Sequence, residues 1–457
     1  MHDIPHPLFS GIVCRMCAEQ DPHPLLDFGP QPIAHRILES PAAPEERFPL
    51  SVHICPACGL VQNLQPIDPA ILYRQYNYCF SSWKPQPHAA EEVVLLKEHL
   101  GGGAIFEVGC NDGMFLEKLH QAGFAPVVGV EPNPVAGETA RAKGFTVYSS
   151  ILTEAVCRDA VHRHGRFKAV VIREVLEHIE DLHHAFLLME SMLDEDGVLL
   201  IEVPDIGMAM PHGDCSVLWE EHVNFFTRPV LRRLLGMRGF APIIWRHYDL
   251  FSGGVMMVLA DRGVLAEEEN SAGPTLEQGL AYANQVHQYA ERLSWTLRRW
   301  REAGGSVVMY GVGARACTVV NALELGRYID LSVDDQIERQ GKFMPGSRLP
   351  IHDPRALTIL TSPLLVLLAV NSENETRVKE RIAALRKDAE TLSLCSPTDI
   401  RGELASLTTR LESVLQEADA TRGEWSAVAA RAARHPLSRL RFPHFLADTS
   451  AKRIKSA

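Results

Sequence analysis

Four cysteines near the start of the chain stand in two pairs, Cys14-Arg-Met-Cys17 and Cys55-Pro-Ala-Cys58, the second followed by Gly59. Each pair can chelate one ion from a tight turn, and four thiolates suit tetrahedral zinc. Buried or redox-active thiols are the competing reading of the same residues. A four-sulfur set leaves no open coordination position, so the expected metal is structural rather than catalytic. His53 lies close to the second pair and reads as an ordinary strand or loop residue.

A second group carries ligand chemistry of another kind. Phe106-Glu107-Val108-Gly109-Cys110-Asn111-Asp112-Gly113 follows an apolar run and opens a helical one. Its glycines allow a sharp turn and close backbone approach to a ligand. The pattern is ExGxxxG rather than GxGxxG, so the third glycine of a pyrophosphate cradle is missing. Glu131-Pro132 ends the next strand, where a carboxylate can accept both hydroxyls of a ribose. A glycine turn with that acid and no phosphate cradle fits a phosphate-free adenosine ligand, S-adenosylmethionine. A generic Rossmann-type turn is the plainer alternative. Arg173, Glu174 and His178 follow a third buried run, at the sheet edge where ligands bind; they are read as further ligand contacts or as helix caps.

The elements that must position these groups are legible. AIFEVG, VVGVEP, FKAVVIREV and VLLIEVP read as strands alternating with helices, which means βαβ units and a mostly parallel sheet. A polar helical stretch from about 265 to 303 leads to a second α/β run: SVVMYGVG, ARACTVVNALEL, YIDLSVDD and LLVLLAVN, then a helix after Glu375. The expected division is a zinc-binding domain at 1–85, a methyl-donor domain at 86–262, and a linker helix with a C-terminal α/β domain at 263–400. A helical, basic tail at 401–457 completes it. In the tail, Leu404, Leu407, Leu411, Val414 and Ala418 share one helical face, too short a repeat for a stable coiled coil.

A chain of 457 residues with a formal charge of -12 is expected to hold two or three domains and not to bind nucleic acid. No apolar run approaches the roughly 20 residues of a membrane helix, and the start does not read as a signal peptide. A reducing cytoplasm is expected, with a small-molecule substrate and a monomer or a homodimer formed through the tail helix.

Taken together, CPACGL, YRQYNYCFSS, EVGCNDG, VGVEPN, VLEHIED, WEEHVNFFT, YGVGARACTVVNALEL and VDDQIERQGKFMPGSRLPI resemble the zinc-containing, S-adenosylmethionine-dependent sugar C-methyltransferases of bacteria. The resemblance runs from about residue 10 to 400, and GKxxPGxxxPI after VDD is its most specific part. It implies a Rossmann-like class I methyltransferase core between an N-terminal zinc domain and a C-terminal α/β domain. It implies methylation at C3 of a 4-keto sugar carried on a nucleoside diphosphate.

That chemistry needs a base to remove the proton beside the ketone, giving an enolate that attacks the sulfonium methyl. His222 falls at the position of the family's catalytic histidine, with Glu221 beside it to hold its tautomer. Packing or capping beside the FFT strand is the other role open to His222. Tyr76 and Tyr78 offer phenols, and Ser81 and Ser82 line the same wall; aromatic packing in a linker is the alternative. Gly311 and Gly313 form a second turn that suits a diphosphate, with Arg315 and Lys342 as cations near it.

Two departures matter. Trp219 stands where the family commonly has a tyrosine, three residues before the histidine, so a phenol is lost. Gly253-Gly254-Val255-Met256-Met257 replaces a stretch bearing a hydroxyl and a cation. These keep open an O- or N-methyltransferase acting on a related scaffold, and a donor-binding protein without catalysis.

Overall fold

The computed structural model describes residues 13–73, 86–249, 254–265 and 272–394, together with the isolated helical positions 406 and 409. The tail reading therefore lies almost wholly outside the described residues. Among them, no helix is long and apolar enough to cross a membrane.

Strands β1 (His23–Pro32), β2 (Arg47–Ile54) and β3 (Val61–Asn63) form an antiparallel sheet in the gap between the two cysteine pairs. Its fourth strand comes from far along the chain. The central sheet uses β4 (Ile105–Val108), β5 (Val127–Val130), β6 (Thr146–Tyr148), β7 (Phe167–Arg173) and β8 (Leu193–Pro204), all parallel. Then β9 (Asn224–Phe225) crosses over to pair with β3. The hairpin β10 (Phe240–Tyr248) and β11 (Val255–Arg262) returns to the central sheet, giving the order β10-β11-β8-β7-β4-β5-β6. In it β11 runs against both its neighbours, β10 and β8. Short apolar runs such as Ile105–Val108 explain the parallel part: β4, β5 and most of β7 are buried on both faces, as strands covered by helices on each side must be.

The C-terminal unit is a second parallel sheet, β12 (Ser306–Tyr310), β13 (Leu331–Val333), β14 (Ile351–His352), β15 (Leu364–Leu368) and β16 (Ala389–Ser393), in the order β14-β13-β12-β15-β16. The helix expected after Glu375 begins earlier, at Ser372.

One helix ties the three units together. Leu276–Glu302 opens on a capping box between Thr275 and Gln278. Tyr282, Val286, Tyr289, Leu293, Leu297 and Trp300 recur at helical spacing and are all buried. They share a core with Val52 and Ile54 of the cysteine-rich sheet and with Val307 and Leu365 of the C-terminal sheet. The helix is therefore a spine rather than a spacer.

Candidate active site

The cysteines converge. Cys14 Sγ lies 3.6 Å from Cys58 Sγ, and Cys17 Sγ lies 3.5 Å from Cys55 Sγ. All four sulfurs are within 4.8 Å of one another. Four sulfurs around one centre at about 2.3 Å would be separated by a little under 4 Å, so the set fits tetrahedral zinc. A hydrogen bond from Cys58 is the main cause that draws the Cys14 thiol down to about 4.

The glycine turn follows β4 with three residues in left-handed backbone: Gly109 at φ +72°, Asn111 at +48° and Gly113 at +77°. A Cβ on Gly109 would sit 2.4 Å from Val175 Cγ2, so that position has no room for a side chain. Glu131 sits at the end of β5 and is buried. Its Oε2 accepts from the Asn111 backbone N–H at 2.9 Å and its Oε1 from that of Asn133 at 2.7 Å. Burial pushes the Glu131 carboxyl up, while these two backbone donors hold it down. Pro132 is half-buried beside it, and the Asn133 side chain caps the next helix through Val135 and Ala136. Asp112 is fully buried, its backbone N–H donating to Asn111 Oδ1.

A cleft opens over this turn, lined by Gln86, Glu107, Gly109, Asp112, Met114, Phe115 and Arg173. Glu107 Oε2 is buried there with no hydrogen-bond partner, and burial lifts its carboxyl to about 8. A buried carboxyl lacking a partner, beside a turn no Cβ can enter, fits a cationic nucleoside ligand such as S-adenosylmethionine.

Arg173 is not a free arm reaching for ligand. Its Nε donates to Glu92 at 2.7 Å, its Nη1 to Gln86 at 3.0 Å and its Nη2 to Glu202, while the guanidinium lies 4.4 Å over the Phe115 ring. His88 Nε2 stands 2.8 Å from Glu202. Burial opposes the Arg173 charge, but Glu202 and Glu92 outweigh it. Of the two carboxyls, burial drives Glu92 up towards neutrality, and Arg173 and His88 keep Glu202 ionised against its own burial. Arg173 thus borders the cleft as part of a closed ionic cluster. Glu174, at φ +51°, turns the chain out of β7.

The histidine segment lies next to the turn. His222 is buried, its ring 4.5 Å from Trp219 and 4.8 Å, edge-on, from His178. Glu177, His178 and His222 bring one ligand atom each within 4.8 Å of one another. His178 Nδ1 donates to the Glu221 backbone oxygen at 2.9 Å, and burial lowers its basicity. The Glu221 carboxylate reaches His35 Nδ1 at 2.6 Å, and the Glu220 carboxylate takes the Ala34 N–H at 2.6 Å. Sequence spacing pointed to Glu221 as the acid that holds His222. In the fold the Glu221 carboxylate ties the segment to the cysteine-rich domain through His35, and Glu177 brings a carboxylate oxygen within 4.8 Å of a His222 ring nitrogen.

Tyr73 is a residue that sequence reasoning passed over. Burial raises its phenol, and the charges of Glu221, Glu177 and Glu131 raise it further. It packs against the small cluster of Ile33, Ile67 and Leu72. Only its position in YRQYNYC pointed to it. Tyr76, Tyr78, Ser81 and Ser82 lie outside the described residues, as does Gly253.

The second turn repeats the first. Asp334 follows β13, and its Oδ2 accepts from the Val312 N–H at 2.7 Å, as Glu131 does from Asn111. Gly311 is at φ +98°, and Gly313 leads into helix Ala314–Ala322. The expected cations are engaged elsewhere. Arg315 bonds Ser216 and lies 3.5 Å from Asp214, and Lys342 pairs with Glu39 at 2.9 Å. Both join units rather than project into the turn.

The parallel sheet with its antiparallel strand, the donor turn and the acid after β5 define a class I S-adenosylmethionine-dependent methyltransferase. Residues 86–243 match the family described as "Methyltransferase domain", 260–391 "C-methyltransferase C-terminal domain", and 14–73 "Putative zinc binding domain". The three matched units follow one another along the chain, zinc-binding first, then methyltransferase, then C-terminal. It is 28% identical over 389 residues to C-methyltransferase NovU of Streptomyces niveus, covering 81% of this chain and 92% of that one. Among solved structures, the Burkholderia thailandensis 1,6-didemethyltoxoflavin-N1-methyltransferase is 16% identical with a TM-score of 0.34, over 45% of this chain and 96% of its own. The magnesium protoporphyrin IX methyltransferase of Synechocystis is 17% identical with a TM-score of 0.30, over 38% and 78%.

Proposed function

We propose that the chain methylates a carbon atom of a small molecule in the cytoplasm, the acceptor being a 4-keto-deoxysugar on a nucleoside diphosphate. S-adenosylmethionine supplies the electrophilic methyl group. The cleft residues bind it: the Gly109–Gly113 turn admits it, Glu131 accepts from its ribose, and Glu107 faces its positive charge. His222 removes the proton beside the ketone, with His178 next to it. The N-terminus of helix Ala314–Ala322, which follows the Gly311–Gly313 turn, offers backbone N–H groups to the diphosphate.

One observation carries the reading. Val175, the residue that fills the space over Gly109, is two residues from Glu177, which brings a carboxylate oxygen within 4.8 Å of a His222 ring nitrogen. Donor turn and base are therefore adjacent. NovU is named a C-methyltransferase, and this supports carbon as the acceptor atom. The test is solvent deuterium exchange: the enzyme washes the C3 proton out of a 4-keto sugar nucleotide, and His222→Ala stops it. Washout that survives the substitution removes His222 as base.

Trp219 favours a second reading. Its indole, 4.5 Å from His222, carries no phenol to share in enolate formation. An oxygen acceptor needs only the base. Methylation of a sugar hydroxyl without C3 exchange would select that reading.

A further inference from the structure

The groups around His222 offer more than a proton acceptor. Glu177 and His222 are 2% and 7% exposed, and their ligand atoms meet one of His178 within 4.8 Å. Two imidazoles and one carboxylate form a donor set that takes borderline divalent ions. The His178 ring is already arranged for it. Its Nδ1–H is given to the Glu221 carbonyl at 2.9 Å, which leaves Nε2 with the lone pair. An outer carbonyl fixing the tautomer in this way is the usual companion of a metal-bound histidine. The backbone holds the two ligand-bearing segments side by side. Val223 N–H donates to the Glu177 carbonyl at 2.8 Å, and Asn224 Nδ2 to the Ile179 carbonyl at 2.7 Å. Metal–ligand bonds of about 2.0–2.2 Å then require the three side chains to draw in from their 4.8 Å grouping.

We propose that Glu177, His178 and His222 form a second, dissociable site for a divalent transition-metal ion, and that a bound ion withdraws His222 from proton transfer. The lone pair that would take the substrate's proton is the pair given to the metal, so proton and ion compete for one nitrogen. The site differs in kind from the four-thiolate one: nitrogen and oxygen donors, open positions, and a ligand needed for catalysis. Its existence does not depend on what the enzyme methylates. The withdrawal of His222 rests on the reading of that residue as the base.

The test uses the full chain loaded with its structural zinc and titrated with Co2+, with bound metal measured after dialysis and by visible absorption. The expected result is a second equivalent whose spectrum lacks thiolate charge transfer. Glu177→Gln and His178→Gln should each weaken it by about tenfold or more, while zinc stays at one per chain. No second equivalent in the wild type, or equal uptake by both variants, overturns the site. In a parallel arm, C3 exchange should fall as Co2+ occupancy rises and return on mild chelation. Exchange indifferent to bound Co2+ overturns the withdrawal of His222. A wild type that exchanges nothing without Co2+ instead rejects the enolate reading, and the binding arm still decides the site.

Discussion

Arg15 donates through Nη1 to the carbonyl of Val223 at 3.2 Å, although 208 positions separate them. Arg15 sits between zinc ligands Cys14 and Cys17, and Val223 is the neighbour of His222. The Arg15 N–H also holds Gln62 at 3.1 Å, on the strand that pairs with Asn224. The metal loop thus grips the segment that bears His222. Arg15→Met should keep zinc at one per chain and leave donor affinity unchanged, while turnover falls about tenfold, the scale of one hydrogen bond from a charged donor. The pH–rate profile should shift, and Arg15→Lys should recover part of the loss. Full turnover in Arg15→Met would show the contact to be idle.

Donor binding should depend on pH through Glu107. Its carboxyl, lifted to about 8 by burial, is mostly protonated near neutrality. Only its ionised form attracts a cation. Affinity for S-adenosylmethionine should therefore rise as pH climbs through about 8, and Glu107→Gln should flatten the curve. Calorimetric titration across that range checks it, and a flat wild-type curve would count against the assignment.

Glu220 makes an opposite demand on the fold. Burial first, then the charge of Glu221, raises its carboxyl to about 8. Below the ordinary carboxyl range both folded and unfolded chains hold the proton. Between that range and about 8 only the folded chain keeps it, so this group makes stability fall as pH rises, levelling off above. Glu220→Gln retains an acceptor for the Ala34 N–H and should reduce that slope by up to one proton. Denaturant melts at several pH values give the answer.

Gly109→Ala should abolish donor binding and destabilise the fold by about 1–3 kcal/mol, from backbone strain at positive φ and the clash with Val175. Pairing it with Val175→Ala should recover part of the stability, because the clash goes and the strain stays. Complete recovery would mean that the backbone angle costs nothing.

Cys55→Ser should lose zinc and solubility together, since the knuckle packs into the same core as Val230 and Leu231 of the central domain. Metal analysis beside a solubility assay tests this. A soluble, zinc-free variant with an intact melt would contradict the structural role.

What the sequence revealed depended on distance along it. The cysteine pairs, the donor turn and Glu131 are local patterns, and the fold brings each together as spacing implied. The partners of Arg173 are not local: Glu92 and Gln86 lie 81 and 87 positions away, so its closed cluster had no sequence signature. Glu177 was hidden by proximity. Glu221 adjoins His222 in sequence, yet it is Glu177, in the short helix Leu176–His178, that comes within 4.8 Å of the His222 ring nitrogen. Arg315 and Lys342 looked like phosphate ligands because charge beside a glycine turn suggests it; only packing between units shows them engaged. The antiparallel hairpin β10–β11 carried no alternation strong enough to stand out, since β11 is buried on both faces along most of its length.

The placement of β9 bears on how such a protein can be divided. A piece ending at residue 85 would lack its outer strand and expose the β3 edge to any passing chain. A piece starting there would carry Asn224–Phe225 with nothing to pair against. The metal-bearing and methyl-transferring parts are therefore not beads that recombination can exchange at their apparent boundary. A swap that moved the first 85 residues alone would have to rebuild the strand beside His222, and inheritance should keep the two together.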